Sequence, residues 1–108
     1  MRVHVLDPDL LSSTRLRDQI RRAGWTPADD RGRPDVVIVN LARVSPGAVA
    51  SVRARWAEAV VVGFCGHADH PRREAGLAAG CDAVIPHGEA MNRLVRAVAR
   101  LASEERGA

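Results

Sequence analysis

The cysteine and histidine side chains that could bind a metal ion lie mainly in one segment of this 108-residue chain. Cys65, His67 and His70 form a Cys-x-His-x-x-His run after an apolar stretch, and His87 follows a second apolar stretch. Thiolate and imidazole groups are ligands for zinc and similar metals. The spacing matches no closed zinc motif. The run therefore predicts either a small metal- or ligand-binding site formed by His67, His70 and His87 or, as we favour, a solvated polar loop.

Cys65 and His87 could also form a pair of nucleophile and base. Such a pair needs a third group that orients the base. No glycine-rich phosphate loop, nucleophile elbow or evident orienting acid accompanies the two residues. We therefore predict that the chain is not an enzyme and uses no cofactor.

Two further polar residues follow apolar runs. Asp7 comes directly after residues 3–6, and Asn40 directly after residues 36–39. Asp7 could be a metal ligand, or a strand-end carboxylate that caps the next helix or pairs with His87, and we favour the structural role. Asn40 could hydrogen-bond a partner, although asparagine more simply satisfies the amides of a loop.

The composition narrows the classes of function. All of the 16 basic residues are arginines, which excludes mechanisms that need a lysine. A net charge of +3, with one phenylalanine and two tryptophans, does not favour nucleic-acid binding. The N-terminus lacks an apolar signal segment, and no apolar run approaches the length of a membrane span. We expect a cytoplasmic protein without a membrane association.

Apolar runs alternate with amphipathic patterns along the chain, which predicts a three-layer α/β domain with a parallel sheet. Strands are predicted at residues 3–6, 36–39, 60–64 and 83–85, with a short edge strand at 25–28; helices are predicted at 10–23, 46–56, 70–79 and 89–104. Ser45 with Pro46, and Asp69 or His70 with Pro71, mark two helix starts. The pattern indicates one domain over residues 1–103 and a flexible tail over 104–108.

The connection between the edge strand and the next strand is too short for a crossover helix. We therefore predict that the second crossover helix is missing. Trp25 and residues 29–33, or a second copy of the chain, would then cover the exposed face of the sheet. The predicted docking surface is this face with Trp25, or the face formed by the helix at 70–79, the last strand and the last helix, which carries Arg93 and Arg96.

Three stretches resemble the receiver domain of bacterial two-component signalling. They are the acidic end of the first strand (residues 5–9), the Pro-Asp-led strand at residues 34–40, and the alanine-rich helix, Gly-x-Asp turn and last strand at residues 75–85. The resemblance extends from Arg2 to about Leu101. It implies a flavodoxin-like parallel sheet with strand order 2-1-3-4-5 and a site at the carboxyl ends of the strands.

The positions that carry the chemistry of this family are changed. The phospho-accepting aspartate corresponds to Asn40, the acidic pair to Asp7 and Pro8, the hydroxyl residue to Cys65, the lysine to His87, and the aromatic switch residue to Val84. An amide oxygen is a poor nucleophile, and one carboxylate holds Mg²⁺ poorly. The resemblance therefore implies a pseudo-receiver that binds a regulator, a sensor or a second copy of itself without phosphorylation.

Overall fold

The computed structural model describes residues 1–28 and 32–105. The strands are β1 (Arg2–Leu6), β2 (Thr26–Ala28), β3 (Val36–Asn40), β4 (Val60–Cys65) and β5 (Ala83–Pro86), and the helices are α1 (Leu10–Arg22), α2 (Pro46–Arg55), α3 (His70–Ala79) and α4 (His87–Glu105). All the strands predicted from the apolar runs are present, with small shifts at their ends. Glu104 and Glu105, which the prediction assigned to a flexible tail, belong to α4; residues 106–108 lie outside the described residues.

The five strands form one parallel sheet in the order β2-β1-β3-β4-β5. β3 and β4 are buried along their whole length, which explains why their sequences are continuously apolar rather than alternating. The predicted fold class and strand order are confirmed. The order places the carboxyl end of β3 between those of β1 and β4.

Polar side chains begin three of the helices. Asp9 caps α1, Ser45 caps α2 and Asp69 caps α3, each by accepting backbone N–H groups of the first turn. The predicted starts of α2 and α3 are therefore confirmed. Within residues 1–28 and 32–105, no helix is both long enough and apolar enough to cross a bilayer.

The last helix is interrupted, which the sequence did not predict. The backbone of α4 leaves the helical region at Arg93, where φ is −139° and ψ is 32°. The side-chain amide of Gln19, on α1, occupies this break. Its Nε2 donates to the carbonyls of Ala90 and Met91, at 2.9 Å each, and its Oε1 accepts from the N–H of Leu94 at 3.0 Å. Helix α1 thus satisfies backbone groups that the break releases.

Two core layers lie on opposite faces of the sheet. Val3, Ile38 and Phe64 pack with the apolar stripes of α1 and α4, and the other layer packs against α2. Trp25 packs against the first layer. The expectation that Trp25 covers the face without a crossover helix is therefore wrong. Trp56, which ends α2, lies on that face instead, with its ring 5.3 Å from the ring of His4 on β1.

The register of β2 explains how a short connection reaches β3. Ala28 pairs with His4, and Val36 pairs with Val3, so the chain has to return by only one residue along the strand direction. Crossing β1 adds about 10 Å, which residues 29–35 span easily. Of these residues the structure describes 32–35, and they hold no helix, in agreement with the predicted loss of the crossover.

The Gly-x-Asp turn before β5 joins the sheet to α2. Gly80 has a φ of 128°, which favours glycine, and it ends α3. Asp82 accepts from the backbone N–H of Val61 at 2.8 Å and from the guanidinium of Arg53 at 2.6 Å. Arg53 also donates to the carbonyl of Gly80. The motif that supported the resemblance therefore has a structural role at the amino end of the sheet.

Candidate functional site

The strand ends bring the predicted site residues to one edge of the sheet. Asp7 follows β1, Asn40 ends β3 and Cys65 ends β4, and these strands are neighbours. His87 begins α4 directly after β5. Open parallel sheets bind their ligands at the carboxyl ends of the strands, so these residues form the candidate site.

The carboxylate of Asp7 is held by donors from within the protein. Asp7 is only 9% exposed. Its Oδ1 accepts from the backbone N–H of Asp9 at 2.9 Å and from Nδ2 of Asn40 at 3.0 Å, and its Oδ2 accepts from the hydroxyl of Ser12. Three donors compensate a carboxylate for the loss of water. The partners of Asp7 are therefore these groups, and not His87 as one expectation had it.

Asp9, rather than Asp7, caps the first helix. Its Oδ1 accepts from the N–H groups of Leu11 and Ser12 at 3.0 and 3.1 Å. The bond from the Ser12 N–H is the main reason that the pKa of Asp9 lies below its ordinary value of 3.8. Arg43, in the loop after β3, lies 3.9 Å from the same carboxylate. The capping role that was expected of Asp7 is therefore taken by Asp9, two residues later.

Asn40 uses both ends of its side-chain amide. It is 5% exposed, its Nδ2 donates to Asp7, and its Oδ1 accepts from the backbone N–H of Ala42 at 3.0 Å. The expected role in satisfying loop amides is confirmed. Mg²⁺ at this position would have to displace donors from Asp7, and Asn40 would offer it a neutral oxygen. The residues therefore do not fit the metal that the receiver fold implies.

Cys65 lies in an environment that disfavours a thiolate. The residue is buried, and its Sγ lies 3.8 Å from the carbonyl oxygen of Asp69. Burial is the main cause that raises the pKa of the Cys65 thiol. The pKa of Cys81 is raised to about 11, also mainly by burial. Both cysteines are free, and neither has the properties of an activated nucleophile.

The three candidate metal-binding histidines are exposed, and they are not assembled into a site. His67 and His70 belong to the β4–α3 segment, and the ring of His87 lies 5.7 Å from the ring of Phe64. Across residues 1–28 and 32–105, no group of three or more histidine, cysteine, aspartate or glutamate side chains is placed to hold a metal ion. The structure gives the metal-binding alternative no support.

The remaining predicted positions are spread over the domain. Pro8 is exposed in the β1–α1 loop, and Val84 of β5 packs against the core layer on the α2 side. Arg93 and Arg96 line a groove along α4, which we call the α4 groove; its other residues include Pro86, Glu89, Ala97 and Arg100. Trp25 is half-buried and therefore offers only part of its surface to a partner.

Sequence reasoning missed Ser12 and Gln19. Ser12 is buried and lies in line with Leu16 and Ile20, at i, i+4 and i+8 on the face of α1 that packs against the sheet. A hydroxyl within an apolar stripe was the signal that could have identified it. Gln19 borders the same stripe, but its partners on α4 are more than seventy residues away in sequence. No local pattern reveals such a contact.

The same fold occurs in several solved structures of bacterial proteins. A response regulator from Thermotoga maritima has a TM-score of 0.79 at 16% identity, covering 94% of this chain and 97% of that chain. A CheY-like protein (TadZ) from Pseudomonas aeruginosa PAO1 has a TM-score of 0.74 at 18% identity, covering 94% and 98%. NtrX from Brucella abortus has a TM-score of 0.84 at 12% identity, covering 97% of this chain and 27% of that chain.

The chain therefore has the fold of a response-regulator receiver domain. The resemblance inferred from three sequence stretches is confirmed at the level of the fold. No protein-family model and no curated protein matches the sequence.

Proposed function

We propose that this chain is a pseudo-receiver of bacterial two-component signalling, which acts in the cytoplasm through protein contacts and without phosphoryl transfer. Its partner would be a regulator, a sensor or a second copy of the chain. The observation that carries the proposal is the closed hydrogen-bond network of Asp7, Ser12 and Asn40. This network lies where the receiver fold otherwise places its phosphorylation chemistry.

The chemistry of an acyl phosphate supports the proposal. Its formation requires an ionised carboxylate oxygen to attack phosphorus, with cations that neutralise the transferred group. Asn40 supplies an amide whose oxygen already accepts a hydrogen bond from Ala42. Asp7 has the required charge, but it is buried behind donors from Asp9, Ser12 and Asn40. We infer a fixed surface rather than a phosphorylation-driven switch, and no catalytic role.

Acetyl phosphate provides a direct test. The purified chain is incubated with acetyl phosphate and Mg²⁺, and its intact mass is measured beside a receiver domain that retains its aspartate. We expect a phosphoryl adduct on the control protein and none on this chain. Beryllofluoride with Mg²⁺ should likewise leave the ¹⁹F spectrum free of a bound signal.

An adduct mapped to the network would overturn the proposal. Peptide mapping would locate it, and the variant Asp7→Asn would show whether the only carboxylate of the network had reacted. Loss of the adduct in this variant, with retained folding by circular dichroism, would establish a phosphorylation site that the geometry argues against.

A further inference from the structure

We propose that the α4 groove binds an acidic segment of a partner protein. The inference rests on the proposed function and names the surface and the chemistry of the partner. Arg93, Arg96 and Arg100 line the groove, spaced at i, i+3 and i+7 along one side of α4. Over these seven residues a helix rises about 10 Å, which matches three residues of an extended peptide.

Two of these guanidinium groups are available for a partner. Arg93 and Arg96 are exposed, and within the described part of the chain neither has a side-chain hydrogen bond or ion pair. The guanidinium of Arg100 lies 3.8 Å from the carboxylate of Glu89, and the two side chains are 59% and 30% exposed. Guanidinium groups bind carboxylates with two parallel hydrogen bonds, so the groove is complementary to glutamate or aspartate.

The break in α4 holds the groove in shape. The backbone at Arg93 is not helical, and α1 fastens both sides of it. Gln19 bonds to Ala90, Met91 and Leu94, and Nε of Arg15 donates to the carbonyl of Met91 at 3.0 Å. The surface is therefore preorganised, which lowers the entropic cost of binding.

The lining favours a peptide over a nucleic acid. Pro86 and Ala97 give the groove an apolar floor, and no aromatic ring lines it for stacking bases. The carboxylate of Glu89 can accept the backbone N–H groups of a peptide, donors that a phosphodiester backbone lacks. A peptide that alternates acidic and apolar residues matches both the arginines and the floor.

A second copy of the chain is a poorer occupant. A two-fold dimer through this groove would place the same arginine-rich surface on both sides of the interface. Like charges that face each other disfavour association. The geometry thus points to a partner that carries the opposite charge.

The test uses a fluorescein-labelled peptide of alternating glutamate and leucine, and fluorescence anisotropy to measure its Kd for the full chain. We expect the double variant Arg93→Glu, Arg96→Glu to bind about tenfold more weakly or worse. The matched control is Arg22→Glu, Arg73→Glu, which makes the same change in net charge outside the groove. The control should bind as the wild type does, and circular dichroism should show that both variants are folded.

Four results would overturn the inference. They are equal weakening in the control variant, no binding of the peptide, tighter binding of duplex DNA at the same arginines, and a concentration-dependent dimer that the groove variant abolishes. The outcome is separable from that of the proposed function. A phosphoryl adduct on a wild-type chain that still binds the peptide would reject only the proposed function. A wild-type chain that forms no adduct and does not bind the peptide would reject only the binding of an acidic segment in the α4 groove.

Discussion

At the scale of single residues, the replacement of a carboxylate by an amide at Asn40 reorganises its surroundings. The amide can donate as well as accept, so it joins Asp7 directly to the loop after β3 through Ala42. A carboxylate in the same place could accept only, and it would lie at hydrogen-bond distance from a second carboxylate. The contact between Asp7 and Asn40 is therefore stable because one of the two side chains is neutral.

The variant Asn40→Asp should be less stable than the wild type by about 1–3 kcal/mol at neutral pH, because a buried hydrogen bond becomes a repulsive contact. Urea denaturation measures this difference. Protonation of one of the two carboxylates removes the repulsion, so the destabilisation should be smaller in acid than at neutral pH.

Asn92→Asp is the matched control. Asn92 is exposed; its Oδ1 accepts from Arg15 at 2.7 Å and its Nδ2 donates to the carbonyl of Gly88 at 2.9 Å. A carboxylate there gains an ion pair with Arg15 in exchange for one exposed hydrogen bond. Its stability should change little. A stability of Asn40→Asp equal to that of the wild type at neutral pH would contradict the role of the amide.

At the scale of elements, α1 determines the shape of α4. At the break near Arg93, the single amide of Gln19 bonds to the N–H of Leu94 and to the carbonyls of Ala90 and Met91. Unpaired backbone groups in a partly buried place are costly, so the interrupted helix depends on this side chain. The α4 groove in turn depends on the break.

The variant Gln19→Ala should lower the free energy of unfolding by about 1–3 kcal/mol, because it leaves backbone groups unsatisfied. It should also speed the exchange of the Leu94 amide hydrogen, which two-dimensional NMR can follow. Asp18→Ala is the control, since Asp18 is exposed and its contact with Arg21 is 3.8 Å long. Equal free energies of unfolding and equal Leu94 exchange rates in the two variants would show that the bonds of Gln19 to α4 do not stabilise the protein.

At the scale of the whole molecule, two glycines set how closely the layer that contains Leu41 can pack. A methyl group at Gly63 in β4 would lie 2.7 Å from Cδ1 of Leu41 and 3.1 Å from Sγ of Cys81. A methyl group at Gly76 in α3 would also lie 2.7 Å from Cδ1 of Leu41. Leu41 therefore fills the space that the missing side chains leave between the sheet and α3.

The variant Gly63→Ala should destabilise the protein by about 1–3 kcal/mol, because the added methyl group overpacks the layer against Leu41 and Cys81. Gly88→Ala is the control: it has no neighbour within 4 Å, it lies in a helix, and it should be neutral or slightly stabilising. Thermal denaturation of both variants measures the contrast. Adding Leu41→Val to Gly63→Ala should recover part of the loss, and a failure to do so would show that the methyl group clashes elsewhere.

The sequence by itself determined the order of the elements and the class of fold. Continuous apolar runs identified the buried strands β3 and β4, and the capping patterns at Ser45 and Asp69 placed two helix starts. These signals are local: they depend on which residues follow one another and on the periodicity of each element. The sequence also identified the amide at Asn40, because the apolar strand before it resembles the receiver strand that ends in the phospho-accepting aspartate.

Tertiary structure alone decided which groups meet. The bond from Asn40 to Asp7 and the bonds from Gln19 to the break in α4 join segments that are distant in the sequence, and no periodicity encodes these contacts or the face on which Trp25 packs. Their free energies depend on burial and on the atomic distances that the packing of helices against the sheet sets. The physical reason is that the local pattern specifies only the helix or strand to which a side chain belongs. Which groups it contacts depends on how those elements pack together.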